Sequence, residues 1–398
     1  MSQFIELINN KNDLQSVGLY FTVIGVAVLL AFGSQINIAK NSAKSSISVL
    51  RIRQEKSVRY FQVICLCLSF MVLWFISAFA DCGADRASYG TIFSNVSFAD
   101  LLSGWQEPGF IVFNMVFRIF GDNPRIIYIA ISTLTLFLFY RTWYVFKTDI
   151  SIGYAVLAYG TLFFVQSLSL MRIYLASAIL FCGIGFLKTR RYVSCSLLIL
   201  LATLIHYSSL VMFLPLVIVI LLENHKYMQY VHVIAVIIGL FGIGAILIIG
   251  SPILQNITIF ARFQRYLENV SFSSIGVMQF IYNIPICVLI FLTMRYIDVK
   301  EKRIMIAYAG SAFLLSILSY GIQVLGRTLS LFSILYMFII PECMKCLKTH
   351  FWREKKTKKI IYILISFLCF LYFVLRFMIY LGEYQELDAI IPYKNILF

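Results

Sequence analysis

The chain is 398 residues long, 61% hydrophobic and only 13% charged, with a mean hydropathy of +0.89. Soluble globular chains carry about 45–50% apolar and about 25% charged residues, so a soluble fold is excluded. The formal charge is +15, from 33 Lys and Arg against 18 Asp and Glu, and its distribution decides whether it reports a nucleic-acid surface or a membrane topology.

From the N-terminus, residues 1–17 hold Glu6, Lys11 and Asp13 and make no basic leader. No small-residue cleavage site follows the first apolar run, so that run is expected to stay as the first helix. A spanning helix needs about 20 mostly apolar residues. Twelve candidate runs succeed one another, near 19–38, 61–80, 124–146, 152–170, 173–187, 192–206, 208–222, 231–250, 278–294, 304–320, 328–343 and 360–380. A thirteenth, 109–120, is too short to span and reads as re-entrant or interfacial. The expected fold is all-α: a polytopic transmembrane helix bundle of about 12 spans. No polar stretch is long enough for a soluble domain, so residues 1–398 are read as a single integral membrane domain. Eight of the nine cysteines fall in or beside apolar runs and read as packing residues. The Cys343–Cys346 pair lacks the further ligands that a metal site requires.

Charge sets the orientation, because Lys and Arg accumulate in short cytoplasmic loops. Basic residues cluster at 40–59, 188–191, 295–303 and 345–359, and the alternation of twelve spans puts all these loops on one side. With Arg141, Lys147 and Lys226, that side carries 23 of the 33 basic but only seven of the 18 acidic residues. The net charge is therefore a topology signal, with no nucleic-acid partner implied and both termini expected outside.

The informative residues are those on the opposite, outer side. Arg172 lies in SLSLMRIYLA with no acid within ten residues. Arg262 and Arg265 stand one helical turn apart in IFARFQRYLEN, able to face one ligand. Arg327 opens the eleventh run. A guanidinium is a permanent cation with a planar fork of donors that suits phosphate oxygens; the alternative for each is a side chain snorkelling to headgroups. Glu107, in GWQEPGF, precedes Pro108 at a helix start, where a carboxylate can also be a simple cap. Asp85 precedes Arg86 in DCGADRASY, and a surface ion pair is the plain alternative. His206, in LATLIHYSSL, is a solitary histidine at a helix end, where a structural or interfacial role is the plain reading; the alternative is proton transfer or hydroxyl binding, since an ordinary imidazole pKa lies near working pH. There is no DxD pair, Walker A loop, GxGxxG, HExxH or GxSxG. An enzyme of this kind needs no bound nucleotide.

The order GADRASY, WQEPGF, SLMRIYLA, LIHYSSL resembles the EpsG family of bacterial membrane proteins, which is similar to Wzy-type polysaccharide polymerases. The matching positions are Gly83, Asp85, Tyr89, Glu107, Pro108, Gly109, Phe110, Met171, Arg172, His206 and Ser208, and Arg262 to Tyr266 fits the family's later loop. The resemblance covers about residues 60–330. Two positions depart from it: Arg86 stands where an aromatic is usual, and Ile173 where glutamine is usual.

The resemblance implies a polymerase, with its helices in a glycosyltransferase-C-like arrangement as one candidate, that joins undecaprenyl-pyrophosphate-linked oligosaccharide repeat units into a surface polysaccharide (O-antigen, capsule or exopolysaccharide) at the outer face of the bacterial inner or plasma membrane. It implies Asp85 or Glu107 as the base, His206 as a binder, Arg172, Arg262, Arg265 and Arg327 on the pyrophosphate, and no metal or cofactor. Beyond the lipid-linked substrates and membrane lipid, a chain-length regulator or copolymerase and a flippase are candidate partners. Two rivals stay open: a polyprenyl-phosphate glycosyltransferase that adds one sugar, and a non-enzymatic flippase or exporter. Transporters place polar groups at the membrane midplane, whereas the unexplained charges here lie on one face.

Overall fold

A computed structural model of the chain describes residues 11–36, 48–103, 106–224, 277–318, 329–352 and 356–395. Among these residues every named element is helical, and a single isolated antiparallel bridge joins Ala80 and Asn395. The helices are α1 Lys11–Gly33, α2 Ser48–Phe79, α3 Arg86–Asn95, α4 Phe98–Ser103, α5 Pro108–Arg118, α6 Arg125–Val145, α7 Ile152–Ser169, α8 Met171–Lys188, α9 Tyr192–Ile205, α10 Phe213–Asn224, α11 Val277–Thr293, α12 Val299–Leu318, α13 Leu329–Phe351 and α14 Lys356–Asp388.

Seven helices among the described residues are long and apolar enough to cross a membrane: α1, α2, α6, α7, α8, α13 and α14. The expected total of about twelve is thus not reached there. The run at 231–250 lies outside the described residues. The runs at 192–206, 208–222 and 278–294 form apolar helices too short to count as full spans. The run at 109–120 forms the short apolar helix α5.

The chain packs as two compact units, residues 1–89, 128–171 and 340–398, and residues 90–127 and 172–339. In the first unit α1 packs on α2 and on α7. Its centre is aromatic: the Trp143 ring stacks on Phe139 at 5.9 Å and meets Tyr159 at 6.0 Å, all three buried. Two buried hydroxyls there pair with each other across helices, as an apolar medium favours. Ser69 donates to the Ala27 carbonyl at 2.7 Å and shares a 2.8 Å hydrogen bond with the Tyr140 hydroxyl. Helix α7 contains a wide π turn, Gly160–Phe164, and stops at Leu170, which leaves helical geometry at φ −91°, ψ 47°. The spanning window of α7 is 89% buried, that of α14 only 17%. The first is a central helix, whereas the apolar side chains of α14, such as Ile363, Phe367, Phe370 and Leu375, are exposed as a lipid-facing helix requires.

In the second unit α12 packs against α10 and α11, and α5 against α9. A buried hydrogen bond from the Tyr336 hydroxyl to Asn283 Oδ1, 2.9 Å, ties α13 to α11. Ion pairs join helix ends: Lys188 to Glu301 and Arg190 to Glu223, each at 2.6 Å.

Candidate active site at the start of helix α5

The WQEPGF segment builds one site residue by residue. Pro108 occupies the first turn of α5 and leaves Glu107 at the N-cap with extended geometry, φ −65°, ψ 127°. Proline is favoured at that point because its missing N–H has no intrahelical role there. The Glu107 carboxylate makes no capping hydrogen bond; it turns to other partners. Gly109 allows the next step. A Cβ there would stand 2.7 Å from Leu204 Cβ and 2.8 Å from the Leu204 carbonyl oxygen. Only a residue without a side chain lets α5 come this close to the end of α9, and that approach brings Glu107 to His206, the C-cap of α9.

Arg172 completes the group from the first turn of α8. Its Nη1 donates to Glu107 Oε2 at 2.7 Å and to Gln106 Oε1 at 3.0 Å, and its guanidinium lies 5.2 Å above the Phe110 ring centroid. The other carboxylate oxygen, Glu107 Oε1, stands 3.4 Å from His206 Nδ1 and accepts the Tyr207 N–H at 3.4 Å. The Tyr207 hydroxyl donates to the Gln106 carbonyl, also at 3.4 Å. Exposure is graded through the cluster: the side chains are 4% exposed for Glu107, 12% for His206 and 20% for Arg172. Burial pushes the Glu107 carboxyl pKa up, but the neighbouring His206 imidazole and the charge of Arg172 outweigh it and hold it below the ordinary carboxylate value. Glu107 is thus an ionised, buried carboxylate with both oxygens engaged.

Three of the residues singled out from sequence, Glu107, Arg172 and His206, meet in this cluster. Gln106 and Tyr207 join it without having been singled out. Each stands next to a chosen residue, and that adjacency was the only available signal. Asp85 belongs to the other unit, where its carbonyl accepts the Tyr89 N–H at the start of α3. A surface pair between Asp85 and Arg86 is not formed among the described residues; Arg86 is instead buried, 3% exposed, against Tyr128. Arg262, Arg265 and Arg327 lie outside the described residues. Among the described residues no group of three His, Cys, Asp or Glu side chains gathers to hold a metal ion.

The EpsG family model matches residues 63–395. The chain belongs to the EpsG family. With seven helices of spanning length, membership makes it a membrane protein related to polysaccharide biosynthesis. The match to the EpsG family includes every residue of the Glu107–Arg172–His206 cluster and the loop that carries Asp85. No curated protein and no solved structure matches the chain.

Proposed function

We propose that this EpsG-family chain polymerises surface polysaccharide, joining repeat units carried on undecaprenyl pyrophosphate at the outer face of the bacterial plasma membrane. The observation that carries the reading is the ion-paired cluster at the start of α5, a permanent cation beside a buried carboxylate and an imidazole, in an otherwise apolar chain. In the reaction an acceptor hydroxyl oxygen attacks the anomeric carbon of the donor chain. The bond from that carbon to the pyrophosphate oxygen breaks, and the lipid pyrophosphate leaves with the electron pair. The hydroxyl proton goes to a protein base.

Arg172 supplies charge to the leaving group. Glu107 and Gln106 hold its Nη1, which fixes the plane of the fork before substrate arrives and avoids reorganisation during the step. Arg262, Arg265 and Arg327 are further cations for the pyrophosphate. For the proton, the burial of Glu107 and the engagement of both its oxygens favour a division of labour. Glu107 orients His206 and stabilises the imidazolium, while His206, the more exposed of the two, accepts the proton, as a carboxylate–histidine pair does elsewhere. Asp85 is the competing carboxylate.

The deciding experiment is deletion of the gene followed by sizing of the polysaccharide. Loss of long chains with single lipid-linked units retained is the expected outcome. Truncated units would instead identify a single-sugar transferase, and full-length chains trapped inside would identify an exporter.

A further inference from the structure

Arg86 plays no part in the Glu107 cluster, yet its state in the first unit is unusual. It is 3% exposed. Its guanidinium carbon lies 4.2 Å from the Tyr128 ring centroid, and its Nη2 reaches the Ala78 carbonyl only at 3.5 Å. Nε and Nη1 are buried with no hydrogen-bond partner among the described residues. The ionisable groups around it are Cys82, Tyr128, Asp81 and Tyr393, and burial pulls its pKa below the ordinary guanidinium value. Asp81 acts on it electrostatically but forms no ion pair with it among the described residues, and natural proteins keep buried charges paired or ligated.

The surroundings are held firmly. Gly83 sits at φ +119°, its Cα packed so that a Cβ would fall 2.6 Å from the Leu168 carbonyl oxygen. The 81–84 loop is strapped by segment 388–394 through three main-chain hydrogen bonds: Asp81 N–H to Lys394, Gly83 N–H to Ala389 and Ala84 N–H to Asp388, at 2.7–2.9 Å. Tyr393 in that strap donates to the Ile76 carbonyl at 3.1 Å. The Tyr128 hydroxyl donates to the Arg86 carbonyl at 2.8 Å. The backbone about Arg86 is therefore satisfied while Nε and Nη1 of its side chain are not.

We propose that Arg86 is a phosphate-binding residue, whose guanidinium donors at Nε and Nη1 receive a phosphate group from outside the chain. Two sources share this chemistry, an anionic phospholipid headgroup and a soluble phosphate. The proposal does not rest on the polymerase reading and holds for any activity of the chain.

The test is thermal unfolding of the full chain in phosphatidylcholine nanodiscs, in an Arg172→Gln background that removes the guanidinium of the Glu107 cluster as a competing anion site. One arm adds inorganic phosphate at constant ionic strength; the other replaces part of the lipid with phosphatidylglycerol. The unfolding midpoint is expected to rise by a few degrees in one of the arms, which identifies the source, because a ligand that binds only the folded state stabilises it. Arg86→Met is expected to lose that rise and, in anion-free discs, to melt no lower than its parent, since it removes an unpaired charge. Equal rises with and without Arg86 overturn the proposal, as does the absence of a rise in both arms. If Arg86→Met does not fold, Arg86→Gln serves in the same comparison, and the absence of a rise in the parent in both arms overturns the proposal without any variant.

Discussion

Glu107 is the residue on which the site turns. Its folded-state pKa is depressed, so its ionisation stabilises the folded chain above the ordinary carboxylate pKa, and that contribution is lost as pH falls through the lower folded value. The wild-type chain is expected to exceed Glu107→Gln in thermal stability at neutral pH and to converge on it only below about pH 4.5. Unfolding curves from pH 7 down to 3 test this. Convergence at pH 6 would mean that the Arg172 and His206 contacts do not hold the carboxylate. Arg172→Lys keeps the charge but loses the fork, and the Nη1 contacts to Glu107 and Gln106 with it. Polymer synthesis is expected to fall about 10²–10³-fold, the scale of a lost oxyanion contact, with the protein still in the membrane. Wild-type chain length from the Lys variant would reduce Arg172 to a snorkelling cation. Much of this cluster is legible in sequence, because an arginine without a nearby acid, a carboxylate beside a helix-starting proline and a solitary histidine are each conspicuous in an apolar chain. Their pairing is not legible. Residues 107, 172 and 206 are distant in sequence, and nothing in their local patterns says that one carboxylate serves both partners. Arg86 shows the same limit: the adjacent Asp85 suggests a surface pair, and burial against Tyr128 is a tertiary fact.

At the scale of elements, the close approach of α5 to α9 is the feature that assembles the site. Gly109→Ala adds one methyl group against the Leu204 main chain, which cannot give way as a flexible side chain would. Helix α5 is expected to be pushed off α9, so the contact between Glu107 and His206 lengthens. Chain length on a polysaccharide gel is expected to collapse while the protein level in the membrane is kept. Unchanged polymer would show that the approach is packing alone. Long uniform apolar runs predict α1, α2, α6, α7 and α8 well, since hydropathy and length are what membrane insertion reads. The runs near 192–222 are harder. His206 interrupts a helix and a 3₁₀ segment, Tyr207–Met212, comes directly after it, so two short helices stand where two spans are expected.

For the whole molecule, the +15 charge is read as a record of orientation. In cysteine-labelling experiments, positions near 85–105 are expected to be accessible from outside the cell and positions near 50 and 355 from the cytoplasm only. The reverse pattern would put Glu107 and Arg172 on the side of nucleotide sugars and would sink the proposed function. The division into two discontinuous units cannot be read from the sequence, because the breaks at 89/90, 127/128, 171/172 and 339/340 fall at or within helices and carry no change in composition.

The π turn in α7 has a genetic consequence. A turn of that width holds one residue more than a regular α-helical turn needs. Removing one residue from Gly160–Phe164, Thr161 for example, is expected to let the turn close into ordinary helix without rotating the rest of α7. Ser169, whose Oγ accepts the Ala84 N–H at 3.1 Å, would keep its place. The same one-residue deletion within α6, at Leu134, finds no such slack and rotates the remainder of that helix by about 100°. In a codon-deletion scan scored by membrane protein level, the π turn is therefore expected to stand out as a tolerant position inside one of the most buried helices of the chain.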